Sequence, residues 1–166
     1  MGVFDKSICD CCVCPMQSVM KGLVETSGIS VAFFTPNNTF FATLNSAENF
    51  VANTNNGMLP ICNVTAVADD SLDRSTPLKP IQNDSKGECS CCEDPSTNEL
   101  VSLGVGSRAL IEFVKGGFSF TLPLEGNITN IGEGIVILDN VIDADGSNTP
   151  NFAISTCQIT RVEGTQ

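Results

Sequence analysis

The chain has 166 residues and a formal net charge of −11, with 19 acidic and 8 basic side chains, nine cysteines and no histidine. The absence of histidine excludes Ser-His-Asp and Cys-His nucleophiles, histidine proton shuttles and histidine-ligated zinc. The few basic residues argue against nucleic-acid binding, which needs a concentrated basic face, and the acidic balance argues against attraction to anionic membranes.

Residues 1–14 are predicted to form a cysteine-rich N-terminal arm. Its thiols stand close together, at Cys9, Cys11, Cys12 and Cys14. The arm has neither an apolar segment nor a small-residue cleavage site, so we expect no secretory signal peptide. The longest apolar runs in the chain are too short to span a bilayer. Because a cysteine content this high is typical of an oxidising compartment, the route of export needs an explanation.

Residues 15–70 are predicted to form a first small β-domain that begins with a short helix. The apolar residues at helical spacing are Met16, Val19, Met20 and Leu23. Period-two alternation then predicts strands, with turns at T-P-N-N-T and N-T-N-N-G between them. The predicted strands are Ile29–Phe33, Phe41–Leu44, Phe50–Ala52 and Met58–Val67.

Residues 71–94 are polar, include two prolines and are predicted to form a linker, which carries the second cysteine cluster. The cysteines of this cluster are Cys89, Cys91 and Cys92. Residues 95–166 are predicted to form a second small β-domain that begins with a helical segment containing Leu100, Val101 and Leu103. Its predicted strands are Ala109–Val114, Phe118–Leu122, Ile128–Ile131, Gly134–Leu138 and Phe152–Val162.

The two predicted domains share one sequence plan, which indicates a tandem duplication. A Cys-x-Cys-Cys pattern followed by proline stands at Cys9–Pro15 and recurs at Cys89–Pro95. The first half ends with P-I-C-N-V-T-A-V and the second with S-T-C-Q-I-T-R-V, so Cys62 and Cys157 stand at matching positions. The second copy is longer because of two segments with loop compositions, L-P-L-E-G-N and D-A-D-G-S-N-T-P.

We expect an all-β fold with one short helix per half. A helix followed by four or five short strands resembles the small Sm-like and SH3-like barrels, and this resemblance implies two tandem β-barrels. The alternative is a single larger β-sandwich or jelly roll that spans the chain. Units this small bury little apolar area and often need covalent staples or neighbouring molecules.

Metal binding and redox catalysis are two possible roles for the clustered thiols. Four thiolates can bind zinc or an iron–sulfur cluster, but the Cys-x-Cys-Cys-x-Cys spacing suits a single ion poorly. Thiol redox catalysis favours Cys-x-x-Cys at the start of a helix, as at Cys11 and Cys14. Asp94 replaces the second of these cysteines in the second copy, which argues against a redox pair.

Covalent assembly is the favoured role for the cysteine clusters. Adjacent cysteines seldom bridge each other, so Cys11–Cys12 and Cys91–Cys92 are suited to two different partners each. The expected acceptors for such cross-links are Cys62 and Cys157, on predicted strands, and the linker cysteines Cys89, Cys91 and Cys92. For Cys62 and Cys157 the alternative is that they are small buried hydrophobic residues. The odd number of cysteines is expected if disulfides join one chain to another.

The chain resembles small spore-surface proteins of Gram-positive bacteria, of the coat, exosporium and endospore-appendage type. The resemblance rests on the cysteine-rich N-terminal segment, the β-rich body and the expected lack of a signal peptide. The resemblance implies release by mother-cell lysis and a location on the spore surface or outside the cell. It also implies a homopolymer, with other spore-surface proteins as further partners, that is locked by intersubunit disulfides. The arm cysteines would then be the donors, namely Cys9, Cys11, Cys12 and Cys14.

We therefore expect a structural subunit that is not an enzyme and needs no cofactor or metal. The segment Asp143–Asn148 hints at a calcium loop, but its glycine is misplaced and Ile154 stands where a glutamate ligand belongs. A polar hairpin loop is the favoured interpretation of that segment. The alternative functions are a metal-binding module built on a cysteine cluster and a protein-binding adaptor.

Overall fold

The structure, a computed structural model, describes residues 13–26, 30–81 and 90–165. The helices are α1 (Val13–Thr26) and α2 (Ser90–Leu103), and two 3₁₀ turns cover Ile61–Asn63 and Thr156–Gln158. The strands of the first half are β1 (Val31–Phe34), β2 (Thr39–Ala42), β3 (Leu44–Glu48), β4 (Val51–Thr54), β5 (Gly57–Pro60) and β6 (Ala66–Ala68). Those of the second half are β7 (Arg108–Phe113), β8 (Leu124–Gly132), β9 (Ile135–Ile142), β10 (Phe152–Ser155) and β11 (Ile159–Gly164).

The strands form an eight-stranded sheet, in the order β11-β7-β8-β9-β10-β6-β1-β2, and a three-stranded sheet, in the order β3-β4-β5. Only Thr43 separates β2 from β3, so the chain passes from one sheet directly into the other. The strand pairs among the described residues are all antiparallel. The predicted all-β class, with one helix per half, is therefore confirmed.

The same pairing order occurs in both halves. In the first half β1 pairs with β2 and β6, β3 pairs with β4, and β4 pairs with β5. In the second half β7 pairs with β8 and β11, β8 pairs with β9, and β9 pairs with β10. The long strand β8 thus corresponds to β2 and β3 together. The strand pairs among the described residues include none that closes either half into a barrel, and β6 and β10 join the halves into one sheet.

The large sheet is buried on both faces at its centre. Along β1, Val31 and Phe33 belong to one hydrophobic cluster, and Ala32 and Phe34 belong to the other. Successive side chains of a strand point to opposite faces, so this all-apolar strand separates two cores. Helix α1 covers the first core with the four residues predicted to form its apolar face, each at most 2% exposed: Met16, Val19, Met20 and Leu23. This part of the helix prediction is confirmed.

The second core contains a group of phenylalanine rings drawn from both halves. Phe34 of β1 contacts Phe113, Phe120 and Phe152, with ring centroids 5.7, 5.6 and 5.3 Å apart. The rings meet at tilted or edge-on angles, which the charge distribution of an aromatic ring favours. Because these rings carry no polar atom, they can be buried without a hydrogen-bond partner.

Three of the predicted strands differ from the structure. The segment Phe118–Leu122 is not a strand but a bend, in which Phe120 has a φ of 60° and turns its ring towards Phe34 and Phe152. The predicted strands Met58–Val67 and Phe152–Val162 are each interrupted by a 3₁₀ turn. Ile29, which was predicted to begin the first strand, lies outside the described residues.

Candidate assembly site

The structure places only part of the predicted cysteine set. Side chains are described for Cys14, Cys62 and Cys157. The backbone of Cys91 and Cys92 lies in the first turn of α2, which begins at Ser90, inside the interval predicted as linker. The other predicted cross-linking residues lie outside the described part of the chain, namely Cys9, Cys11, Cys12 and Cys89.

Cys62 presents a free and exposed thiol in the first 3₁₀ turn. The turn is held on both sides of it, because Ile61 N–H donates to the Phe50 carbonyl at 2.9 Å and Val64 N–H donates to the Ile61 carbonyl at 2.9 Å. Ile61 itself is only 1% exposed and anchors the turn in the first core. A fixed backbone with the thiol in solvent makes Cys62 accessible to a second molecule.

Cys157 occupies the matching position in the second 3₁₀ turn and has a different state. It is half-buried and disulfide-bonded. The backbone of this turn is held in the same way, because Thr156 N–H donates to the Gly134 carbonyl at 3.0 Å. The turn packs against α2. The repeat therefore keeps the local backbone and differs in the state of its cysteine.

The hairpin turn that precedes each 3₁₀ turn shows the same correspondence. Asn49 and Phe50 link β3 to β4 with φ values of 52° and 63°, and Gly134 links β8 to β9 with a φ of 74°. Phenylalanine in this left-handed region costs about 1–2 kcal/mol, whereas glycine adopts it freely. In the first half α1 offsets this cost, because Phe50 N–H donates to Gln17 Oε1 at 2.6 Å.

Cys14, in the first turn of α1, is half-buried and lines a small cavity of about 160 Å³. The other walls are Pro15, Ser18, Pro77, Leu78, Lys79 and Glu133. Lys79 and Glu133 form an ion pair at 3.1 Å across this region. The cavity therefore connects the start of α1 with the segment that follows the first half.

The large sheet ends at β11 and β2, and the small sheet ends at β3 and β5. Because β2 continues almost directly into β3, the outer strands of the combined order are β5 and β11. Strand β5 pairs only with β4, and β11 pairs only with β7, among the described residues. Met58 of β5 is 78% exposed although it is apolar. On β11, Arg161 donates to Glu112 at 3.2 Å and to Glu163 at 2.5 Å, and these carboxylates hold the pKa of the guanidinium above its usual range. An unpaired strand edge is a template for a strand of another molecule.

The segment Asp143–Asn148 has the geometry of a polar turn. Asp143 Oδ1 accepts the N–H groups of Asp145 and Ser147 at 3.1 and 2.9 Å, and Gly146 has a φ of 81°. Asp145 Oδ2 accepts the hydroxyl of Thr121 at 2.7 Å. These contacts agree with the polar hairpin loop favoured from the sequence. Among the side chains that the structure describes, no group of three or more Cys, Asp or Glu residues is arranged to hold a metal ion.

The strand edges are the feature of this site that the sequence reasoning missed. The repeat gave no signal for them, because P-I-C-N-V-T-A-V leads into β6, which is paired on both sides, whereas S-T-C-Q-I-T-R-V leads into β11, which is paired on one side only among the described residues. The described helices include none that is long and apolar enough to cross a membrane. Comparison of the chain with protein families, with curated proteins and with solved structures finds no match in any of the three.

Proposed function

We propose that this protein is a structural subunit of a self-assembling polymer, a fibre or lattice on the spore surface or outside the cell, that intersubunit disulfides lock. The role is not enzymatic and needs no cofactor, nucleic acid or membrane. The partner is a second copy of the chain, together with other spore-surface proteins. Release by mother-cell lysis would deliver such a subunit to that surface.

The observation that carries the proposal is the contrast between the two matching cysteines. Cys157 is already disulfide-bonded, whereas Cys62 offers a free, exposed thiol just after β5, a strand that is paired on one side only among the described residues. We therefore assign Cys62 as the acceptor and the arm cysteines Cys9, Cys11, Cys12 and Cys14 of another copy as the donors. The second cluster, Cys89, Cys91 and Cys92, supplies further thiols at the start of α2.

The locking step is an oxidation of two thiols to one disulfide. The two S–H bonds are lost and one S–S bond forms, while two electrons and two protons pass to an oxidant such as dioxygen after release from the cell. Each disulfide then resists dissociation as long as the surroundings stay oxidising. Non-covalent contacts set the arrangement of subunits, and the disulfides make it permanent.

The test compares Cys62→Ser with Asn63→Ser, its exposed neighbour in the same turn. After oxidation in air, the unchanged protein should run on a denaturing gel without reductant as a ladder of multiples of 17.5 kDa. Asn63→Ser should keep the ladder, and Cys62→Ser should lose most of it. Reductant should collapse every ladder to the single chain.

Two outcomes would contradict the proposal. A single band at the monomer position for the unreduced, unchanged protein would remove the cross-linked polymer altogether. An undiminished ladder for Cys62→Ser would remove Cys62 as the acceptor. Stoichiometric zinc or iron in freshly reduced protein would favour the metal-binding alternative instead.

A further inference from the structure

The two halves of the chain are joined edge to edge by one strand pair. Strand β10 of the second half runs antiparallel to β6 of the first, with Ala153 opposite Val67. Ser155 N–H donates to the Thr65 carbonyl at 2.9 Å at one end of this junction. Helix α1 packs against the same strand β10. The first half therefore binds an additional strand, β10, which pairs with its own strand β6 and packs against its own helix α1.

Each half contains a counterpart of both strands at this junction. The repeat aligns Pro60–Val67 with Ser155–Val162, so β5 corresponds to β10, and β11 corresponds to β6. The matching hydrogen bonds at the start of the two 3₁₀ turns, from Ile61 and Thr156, support this alignment. The internal junction pairs β10 with β6. Their counterparts, β5 and β11, lack such a partner among the described residues.

The second half has an open groove where the first half holds β10. Pro95, Ser96 and Glu99 of α2 and residues 159–162 of β11 line a cavity of about 280 Å³. The corresponding positions of the first half are all buried: Pro15, Met16 and Val19 of α1, and Val64, Thr65, Ala66 and Val67 around β6. In the second half Pro95, Glu99, Thr160 and Arg161 are exposed. The groove thus lies at the position where the first half holds β10, and no strand covers its lining among the described residues.

We propose that β5 of one copy adds antiparallel to β11 of a second copy and repeats the internal junction between molecules. The register of that junction, carried over through the repeat, sets Gly57 opposite Glu163, Met58 opposite Val162 and Leu59 opposite Arg161. This inference rests on the proposed function, because it names the surface through which the polymer forms.

The two edges are chemically suited to each other. Met58, 78% exposed in the single chain, meets Val162, so an apolar side chain leaves water on binding. Arg161 already has its charge balanced by Glu112 and Glu163, so the edge of β11 does not present an unpaired cation. The groove is more polar than its buried counterpart, since Glu99 stands where the first half has Val19. Such a groove can stay open in water before a second copy arrives.

The junction is heterologous, because each copy contributes β5 to one neighbour and β11 to another. Interfaces of this kind produce closed rings or open filaments, according to the rotation between successive copies. Unless the copies close into a ring, each added copy presents the same two edges again, so the polymer can continue to grow. Helix α2, whose first turn contains Cys91 and Cys92 of the second cysteine cluster, borders the groove at Pro95.

The experiment blocks one edge at a time in the presence of reductant, so that disulfides play no part. Met58→Asp places a charge on β5, and Thr160→Asp places one in the groove; both side chains are exposed in the single chain. Phe118→Asp, at a residue that is fully exposed on a loop outside both edge strands, is the matched control. Sedimentation velocity measures size, and circular dichroism with thermal melting verifies that each variant is folded.

We expect the unchanged protein and Phe118→Asp to assemble, and each edge variant alone to sediment at the monomer mass of 17.5 kDa. An equimolar mixture of Met58→Asp and Thr160→Asp should form dimers and nothing larger. The Thr160→Asp copy still offers β5 and the Met58→Asp copy still offers β11, which allows one junction only. This recovery requires both variants to be folded.

Assembly of both edge variants as large as that of the unchanged protein would overturn the edge pairing while leaving the structural function intact. Failure of the mixture to form dimers, although each variant alone is a folded monomer, would also overturn it. If the unchanged protein stays monomeric at every concentration, with and without reductant, the proposed function fails together with the pairing.

Discussion

Gly116 shows at the scale of one residue how closely the two halves are fitted together. Its N–H donates to the Thr35 carbonyl at 2.8 Å, and its own carbonyl accepts the Thr39 hydroxyl at 2.7 Å. A Cβ atom at Gly116 would collide with the backbone of Asn37 and Asn38, in the turn between β1 and β2. Only a residue without a side chain allows this approach.

We expect Gly116→Ala to lower the free energy of unfolding by about 1–3 kcal/mol, because the colliding atoms are backbone and can move only with the turn. Gly22→Ala is the control, since nothing lies within 4 Å of a Cβ atom at Gly22 in α1. Alanine there should raise the stability by about 0.5–1 kcal/mol through its higher helix propensity. Urea unfolding under reducing conditions measures both. Equal stability of Gly116→Ala and the unchanged protein would contradict the close approach.

At the scale of the element, Pro60 makes the edge of β5 weaker than its counterpart. Ser155, at the matching position of β10, donates its N–H across the internal junction. Proline has no N–H, so the proposed intermolecular junction lacks this hydrogen bond. Proline on an edge strand is also one of the devices that limit indiscriminate strand pairing. A reversible contact between copies is consistent with both effects.

Pro60→Ser should supply the missing donor and strengthen assembly. One net hydrogen bond lowers the dissociation constant of the contact by roughly fivefold. Sedimentation equilibrium in reductant measures the shift, with Pro80→Ser, an exposed proline outside the strands, as the control. If Pro60→Ser assembles no better than Pro80→Ser, the proposed register at this end of β5 is wrong.

The elements that the sequence predicted are those whose pattern is local. The spacing of Met16, Val19 and Met20 identified α1, and the asparagine-rich segment before Gly57 identified a hairpin turn, because neither depends on a distant partner. The 3₁₀ turns were missed, since Ile61 and Thr156 are both β-branched and so do not interrupt the strand-like composition on either side. These turns become visible only from the carbonyl groups of the hairpins that bind them.

The bend at Phe118–Leu122 was mistaken for a strand for a different reason. Its alternating apolar residues do face the core in part, since Phe120 contacts Phe34 and Phe152. The segment pairs with no strand among the described residues, and Lys115 holds it as a loop by donating to the Ser119 carbonyl at 2.9 Å. Burial of this ammonium group also lowers the pKa of Lys115. Alternation therefore does not show whether the backbone has a partner, and Phe118, which belongs to the same alternation, is fully exposed.

At the scale of the whole molecule, the pairing order shared by the two halves explains both the sheet and its open ends. Two copies of one helix-and-strand plan share a single junction between β6 and β10, so one edge of each type is used and one of each type remains. The repeat could be recognised from the sequence, and the cysteines at matching positions were its clearest mark. The junction could not be predicted from the sequence, because strands 80 residues or more apart pair through tertiary packing rather than through a local pattern.

The charge of the whole molecule sets the conditions under which copies meet. Each copy carries a formal charge of −11, so assembly brings together strongly acidic molecules that repel each other. The Debye length falls from about 30 Å at 0.01 M salt to about 3 Å at 1 M, so added salt screens this repulsion. The proposed junction depends on backbone hydrogen bonds and apolar contact, which salt weakens little.

We therefore expect the reduced protein to form larger species as sodium chloride is raised over this range, in sedimentation velocity at constant protein concentration. Met58→Asp should remain a monomer throughout, and a decrease in size with salt would show that ion pairs, rather than strand edges, hold the copies together.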